Sequence, residues 1–321
     1  MPSNMSNSND SYYEDIDDLQ LAPAALTDTG CEREVNEDRY GIFESDSGLG
    51  WFVLDGMGGA TGGELAASLA LESIKRNLDV NGERPVEAAM KEALTEANKV
   101  ISARRQNPAF SSMGTTAIGI LIKDNELSLG YVGDSRAYLI RDGAIQQLSK
   151  DHTLVQELVD RGDIHPEAAL SHPKAHVLTK AIGSDINIDI PVKKFWLWET
   201  ETEESTADRI VLCSDGLYSL VNEGEIATSV SEKTPQDSCI ELVSLAKERG
   251  GFDNITIAII PLPGILKQEP YKGKSKVNAS ASNTLKQKEV MSLLGLSLIS
   301  FICTLSAIGI AVLSVLMMLK N

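Results

Sequence analysis

Residues 52–64, FVLDGMGGATGGE, run an apolar strand into Asp55 and then place five glycines between positions 56 and 63. A short run of aromatic and β-branched residues stopped by glycine reads as a strand buried on both faces. A carboxylate at the end of such a strand is costly to bury unless a cation compensates it. The pattern recurs: LGYVGD ends at Asp134, IVLCSDG reaches Asp215, and Asp253 in GGFDNITIAII stands just before another strand. A solvated loop aspartate is the ordinary reading of any one of these. Four of them at the edges of apolar strands point instead to oxygen ligands for hard cations such as Mg²⁺ or Mn²⁺. Glycine at 56, 58 and 59 would let backbone carbonyls and bound water come close to an ion and would permit unusual turn dihedrals. Gly62 and Gly63 lead into the next helix. A glycine-rich phosphate cradle competes with this reading, but neither a G-x-x-x-x-G-K-[ST] pattern nor a neighbouring lysine accompanies it.

Outward from this stretch, short β-rich runs occur at 40–43, 50–54, 115–122, 127–132, 137–140, 210–213 and 255–260. Several are joined by turn signals such as Lys123-Asp124-Asn125 and Arg141-Asp142-Gly143, which make antiparallel hairpins rather than βαβ crossovers. Helical patterns at 63–78, 85–106, 153–161 and 236–249 lie between them. The fold class is therefore α/β, with antiparallel sheets covered by helices.

The chain has 321 residues and 42% apolar content, room for one large domain, which we place at 23–263. A net charge of -17 excludes a nucleic-acid partner, which requires clustered lysine and arginine. The excess acid suits divalent cations or simple solubility. Residues 1–22 carry five acidic side chains and neither lysine nor arginine, and are expected to be disordered. Residues 264–289 read as a Lys/Ser-rich linker holding six lysines against two glutamates. Residues 290–319 carry no charge and are long enough to cross a hydrocarbon core of about 30 Å as a transmembrane helix. Only Lys320 and Asn321 follow, so a single-pass, tail-anchored protein is expected. The lysines before the span orient its domain toward the cytoplasm and would meet anionic headgroups of the lipid bilayer. Four scattered cysteines indicate a reducing compartment and neither disulfides nor a zinc site.

One cation suits phosphate. Arg33, in CEREVNEDRY just before the Glu37-Asp38 pair, has the planar fork that holds two phosphate oxygens, although a salt bridge to a nearby acid is the ordinary alternative. The motifs TDTGCEREVNED, LDGMGG, GTTA at 114–117, VGDSRAYL, LSKDHT, CSDGL and GGFDNITI follow one another in the chain. In that order and spacing, about residues 25–261 resemble the metal-dependent protein phosphatases, the type 2C Ser/Thr family, in its bacterial branch. Any one motif is weak, but the ordered set is specific.

The resemblance implies two central antiparallel β-sheets sandwiched by helix pairs, a four-layer αββα arrangement with a metal cluster at one end. It implies that Asp55 bridges two Mn²⁺ or Mg²⁺ ions, that Asp215 and Asp253 complete one ion and that the Gly56 carbonyl serves the other. Glu37 and Asp38 would act directly or through water, Asp134 would serve a weaker third ion, and Asn254 would support Asp253. The activity implied is hydrolysis of phosphoserine and phosphothreonine in proteins by direct in-line attack of a metal-bridging hydroxide, with Arg33 and the metals neutralising the phosphoryl oxygens. Met57 stands where many eukaryotic relatives carry histidine, and a thioether donates no proton, so the leaving alkoxide would take its proton from a metal-bound water or another group.

Residues 153–185 resemble the family's flap beside the active site. Of His165, His172 and His176 within it, the last two have a spacing open to zinc, yet an exposed loop is the better reading because no further ligands accompany them. His152 is expected to order the loop rather than to catalyse. Phosphoproteins are the expected partners, among them a membrane Ser/Thr kinase that a shared membrane would concentrate. Two rivals stand beside the phosphatase: an inactive phosphatase-like interaction module at the membrane, and a metal-dependent hydrolase of small phosphate esters.

Overall fold

The computed structural model describes residues 22–58, 62–80, 84–169, 171–199 and 207–269. One sheet has six strands in the order β13 (Ile265–Lys267), β10 (Val192–Trp198), β7 (Glu126–Val132), β6 (Ala117–Lys123), β3 (Gly48–Leu54) and β2 (Arg39–Ser45). The other has five, in the order β1 (Ala24–Asp28), β12 (Ile255–Pro261), β11 (Arg209–Cys213), β8 (Arg136–Arg141) and β9 (Ala144–Gln147). Every pairing is antiparallel, as the hairpin signals require. At the β8–β9 turn, Arg141 pairs with Ala144 across Asp142 and Gly143, whose φ of +49° and +75° make a type I′ hairpin.

Alternation along the strands builds the layers, because successive side chains point to opposite faces. From β3, Phe52 and Leu54 pack beneath helices α1 (Gly62–Leu78) and α2 (Val86–Arg104), while Trp51 and Val53 face the second sheet. From β11, Ile210 and Leu212 meet them in the space between the sheets. Val211 and Cys213 turn the other way, toward α5 (Glu223–Glu232) and α6 (Pro235–Glu248). Helix pair, sheet, sheet and helix pair follow in turn, which is the layering implied by the resemblance. Two shorter helices, α3 (Leu154–Asp160) and α4 (Asp215–Tyr218), lie at the end of the sandwich where the aspartates gather.

Several elements differ from the reading of the sequence. The run 115–122 is not one strand. Gly114–Thr115 (β5) pairs with Gly56–Met57 (β4), and Thr116 leaves the ladder to bond Asp55 before β6 begins. Strands β1, β9 and β13, each at a sheet edge, lack the apolar alternation that would mark them, whereas β10 carries the apolar run at 195–198 and is still absent from the reading of the sequence. Helix α5 is likewise absent from the helical patterns of the sequence, although Asn222 and Glu225 form a capping box at its start. The sheet continues past Pro263, since Ile265–Lys267 of the expected linker pairs with β10. No helix among the described residues is long and apolar enough to cross a membrane. Residues 1–21, the rest of the linker and the span at 290–319 lie outside the described residues.

Candidate active site

Asp55 sits at the end of β3, and its backbone is fixed on both sides. Its N–H donates to Thr116 Oγ1 at 2.9 Å, and its carbonyl accepts from the Thr116 N–H at 2.8 Å and from Thr115 Oγ1 at 2.9 Å. Thr116 Oγ1 in turn shares a 2.7 Å hydrogen bond with Ser135 Oγ, tying Asp55 to the turn that carries Asp134. The GTTA stretch is thus the brace between two of the aspartates.

The glycines beyond Asp55 are required mainly by the backbone itself. A Cβ on Gly56 would stand 2.3 Å from the Gly63 carbonyl oxygen and 2.6 Å from that of Glu37, so the strand end and the start of α1 meet only without side chains. Gly58 adopts φ +137° against Met113, a conformation open to glycine. Gly59, read as part of the same clearance, lies outside the described residues.

Around Asp55 the structure brings together Asp38, Asp134, Asp215, Asp253, Glu37 and Arg33. Asp38 is 1% exposed and accepts from Ser214 Oγ at 2.7 Å, and the Thr256 N–H donates to Ser214 Oγ at 3.0 Å. Asp215 opens α4 immediately after β11. Arg33 Nη2 lies 2.9 Å from Asp253 Oδ2, so the arginine is in a salt bridge and remains about half exposed toward the cavity. Asn254 fastens this region. Its Oδ1 accepts from the Glu37 N–H at 2.8 Å and its Nδ2 donates to the carbonyls of Thr29 and Val35, which holds the loop bearing Arg33 against the start of β12. Its own N–H donates to Asp253 Oδ1 at 2.8 Å.

Burial and neighbouring charge raise the proton affinity of several of these carboxyls. Burial above all, then the charges of Asp38, Asp215, Asp134 and Asp253, pushes Asp55 well above the usual carboxylate range. Burial likewise pushes Asp38 and Asp134 up to about 7, and it raises Glu37 and Asp253 as well. Asp38 Oδ1, Asp215 Oδ1 and Glu37 Oε1 are buried with no hydrogen-bond partner. Buried charge of one sign with unpaired oxygens is strongly unfavourable by itself, and hard divalent cations supply what it lacks. Among the described residues, no three or more His, Cys, Asp or Glu side chains close to the spacing of a single ion. The oxygen donor set fits Mn²⁺ or Mg²⁺.

The cavity holding these groups measures about 650 Å³ and also takes in Met57, His176 and Lys180. His176 is an exposed loop residue, as expected, and its Nδ1 also stands 3.2 Å from Asp215 Oδ2, a contact that raises the imidazole's proton affinity. No spacing in the sequence points to this pair, because 39 residues separate its members. His172 turns elsewhere and accepts from the Lys174 N–H, so it does not join His176 as a metal pair. His152 has the ordering role expected of it. Its Nδ1 accepts from the Gly133 N–H at 3.2 Å, its carbonyl holds Thr179, and burial and the charge of Lys180 lower its imidazole to about 4.

Comparison with known proteins follows the same outline. The family model described as protein phosphatase 2C matches residues 31–244. Serine/threonine protein phosphatase PstP of Mycobacterium tuberculosis is 35% identical over 243 residues, which are 75% of this chain and 45% of that protein. The chain thus spans less than half the length of that relative. Serine/threonine phosphatase stp of Listeria monocytogenes is 32% identical over 73% of this chain and 93% of its own length. The catalytic domain of a serine/threonine protein phosphatase PstP, solved in complex with two manganese ions, matches with a TM-score of 0.62 at 32% identity, covering 74% of this chain and 96% of that one.

Proposed function

The chain belongs to the protein phosphatase 2C family, in its bacterial Ser/Thr branch of Mn²⁺- or Mg²⁺-using hydrolases, and from that premise we propose that it removes phosphate from phosphoserine and phosphothreonine in proteins. The observation that carries the reading is the cluster of buried, partly unpartnered carboxylates around Asp55, with an arginine at the rim of the same cavity. Asp55, Asp215, Asp253 and the Gly56 carbonyl would hold the ions, with Asp38 and Glu37 beside them and Asp134 on a weaker site. Bound, the ions supply Lewis acidity and a nucleophilic water available near neutral pH.

The rest belongs to the protein. Arg33 presents two donors to the phosphoryl oxygens while Asp253 fixes its plane. Thr115 and Thr116 hold the backbone of Asp55, which fixes where its carboxylate departs from the end of β3. Met57, in the same cavity, donates no proton to the leaving group.

Phosphate release from a phosphothreonine peptide, compared with release from a sugar phosphate, tests the substrate class. Faster turnover of the peptide is expected. A preference for the sugar phosphate would favour a small-ester hydrolase, and no turnover of either by folded, Mn²⁺-loaded protein would favour an inactive interaction module.

The proposal extends to the membrane. The uncharged run at 290–319 would span the bilayer as one helix, and the lysines of 264–289 favour a cytoplasmic domain, near membrane substrates such as a Ser/Thr kinase. Membrane fractionation of the protein with and without residues 290–319 checks this, and recovery of both forms in the soluble fraction would sink it.

A further inference from the structure

The cavity has a second permanent cation that the phosphatase reading leaves unused. Lys180 lines it from a segment unrelated to the one that carries Arg33. Its ammonium is 3.8 Å from Asp189, whose side chain is 82% exposed, so this pair is long, solvated and cheap to break. Lys180 is also not on a loosely held stretch. On one side the Thr179 N–H donates to the His152 carbonyl at 2.8 Å. On the other, Ile182 exchanges backbone hydrogen bonds with Thr115, and the Gly183 N–H donates to Oδ1 of Asn98 at 2.7 Å, with Asn98 itself 1% exposed. Arg105 closes the clamp on the Gly183 carbonyl at 2.6 Å. The wall around Lys180 is built before any substrate arrives, which lowers the ordering cost of a contact made there.

The remaining charge around the cavity is acidic, from Glu34 and Glu37 as well as the aspartates. With the other acids engaged by the ions, Glu34 in the same lining would still oppose a second anion beside the phosphoester, and a cation set aside for that anion offsets it. Resting on the phosphatase reading above, we propose that Lys180 is a specificity-determining residue that binds a second anionic group, a carboxylate or another phosphate, flanking the phosphorylated serine or threonine.

The test uses the full-length protein, Mn²⁺ and four kinds of phosphothreonine peptide. Their flanks are neutral, glutamate-bearing, lysine-bearing or carry a second phosphothreonine, with each flanking position occupied in turn. The readout is the ratio of kcat/KM for a charged peptide to that for the neutral one. Wild type is expected to favour an anionic flank about three- to fivefold, as an exposed ion pair allows. Lys180→Ala should bring that ratio to one or below, Lys180→Arg should keep it, and Lys180→Glu should shift preference to the lysine-bearing peptide. Whether glutamate or the second phosphothreonine shows the larger Lys180-dependent ratio identifies the anion. An anionic preference that survives Lys180→Ala overturns the proposal. So does an equal loss on neutral and anionic peptides, which would mean that Lys180 touches the scissile phosphate. Wild-type turnover of p-nitrophenyl phosphate separates the two levels. With it present, an unchanged ratio defeats this inference alone; with no phosphoester turned over, the phosphatase reading and this inference fall together.

Discussion

Arg33 and Asp55 make opposite demands on stability. The Arg33–Asp253 pair is half exposed, so Arg33→Ala should leave the melting temperature nearly unchanged while lowering kcat/KM on a phosphopeptide about 100-fold, the scale of a lost phosphoryl-oxygen donor. Thermal melts and steady-state kinetics on one preparation check both halves. Asp55 is buried among like charges, and removing one of them relieves repulsion. In the presence of a chelator at pH 8, Asp55→Asn should therefore melt no lower than wild type, and it should lose the upward shift that Mn²⁺ gives the wild-type protein. A variant that still responds to Mn²⁺ like wild type would remove Asp55 from the metal site. His176 belongs to this scale as the residue that sequence reasoning missed. It reaches Asp215 only through the path of the 153–185 segment, and neither residue type nor spacing encodes that meeting.

At the scale of elements, the capping box at α5 gives a clean control. Asn222→Ala removes the acceptor for the Glu225 N–H and should cost about 1 kcal/mol in denaturant unfolding while kcat/KM stays within about twofold, because α5 borders no part of the cavity. Gly56→Ala is its counterpart: a methyl group 2.3 Å from the Gly63 carbonyl oxygen must part β4 from α1, so stability and Mn²⁺ affinity should fall together. The same contrast explains what the sequence made legible. Strands β3, β7, β8, β11 and β12 carry apolar residues on both faces because each lies between layers, and such runs declare themselves. Strands β1, β9 and β13 are edges with one free ladder and do not show that signal, whereas β10 does show it at 195–198, after two lysines. The aspartates were legible for a related reason: a charge ending an apolar strand is conspicuous. Lys180 and His176 lie on irregular backbone, where position is set by tertiary hydrogen bonds that no local pattern foretells.

For the whole molecule, the carboxylate cluster sets how stability responds to pH. Asp38 and Asp134 are pushed up to about 7 in the folded protein, and Asp55 is pushed well above its ordinary value of 3.8. Between those limits the folded state binds protons that the unfolded state does not, so metal-free stability is greatest on the acidic side and falls as pH rises through 7. Melts in chelator at pH 5.5, 7 and 8.5 should show a descending series. Saturating Mn²⁺ should lift the pH 8.5 value most, since it binds the deprotonated ligands. A metal-free melting temperature that rises over this range would contradict the burial of these acids. Whether these same acids hold metals for phosphoester hydrolysis is decided by phosphate release from a phosphothreonine peptide with and without Mn²⁺, for wild type, Asp55→Asn and Asp215→Asn. Mn²⁺-dependent release by wild type and its loss in both variants are expected. Release that persists in chelator, or that survives both substitutions, would contradict that role of the acids.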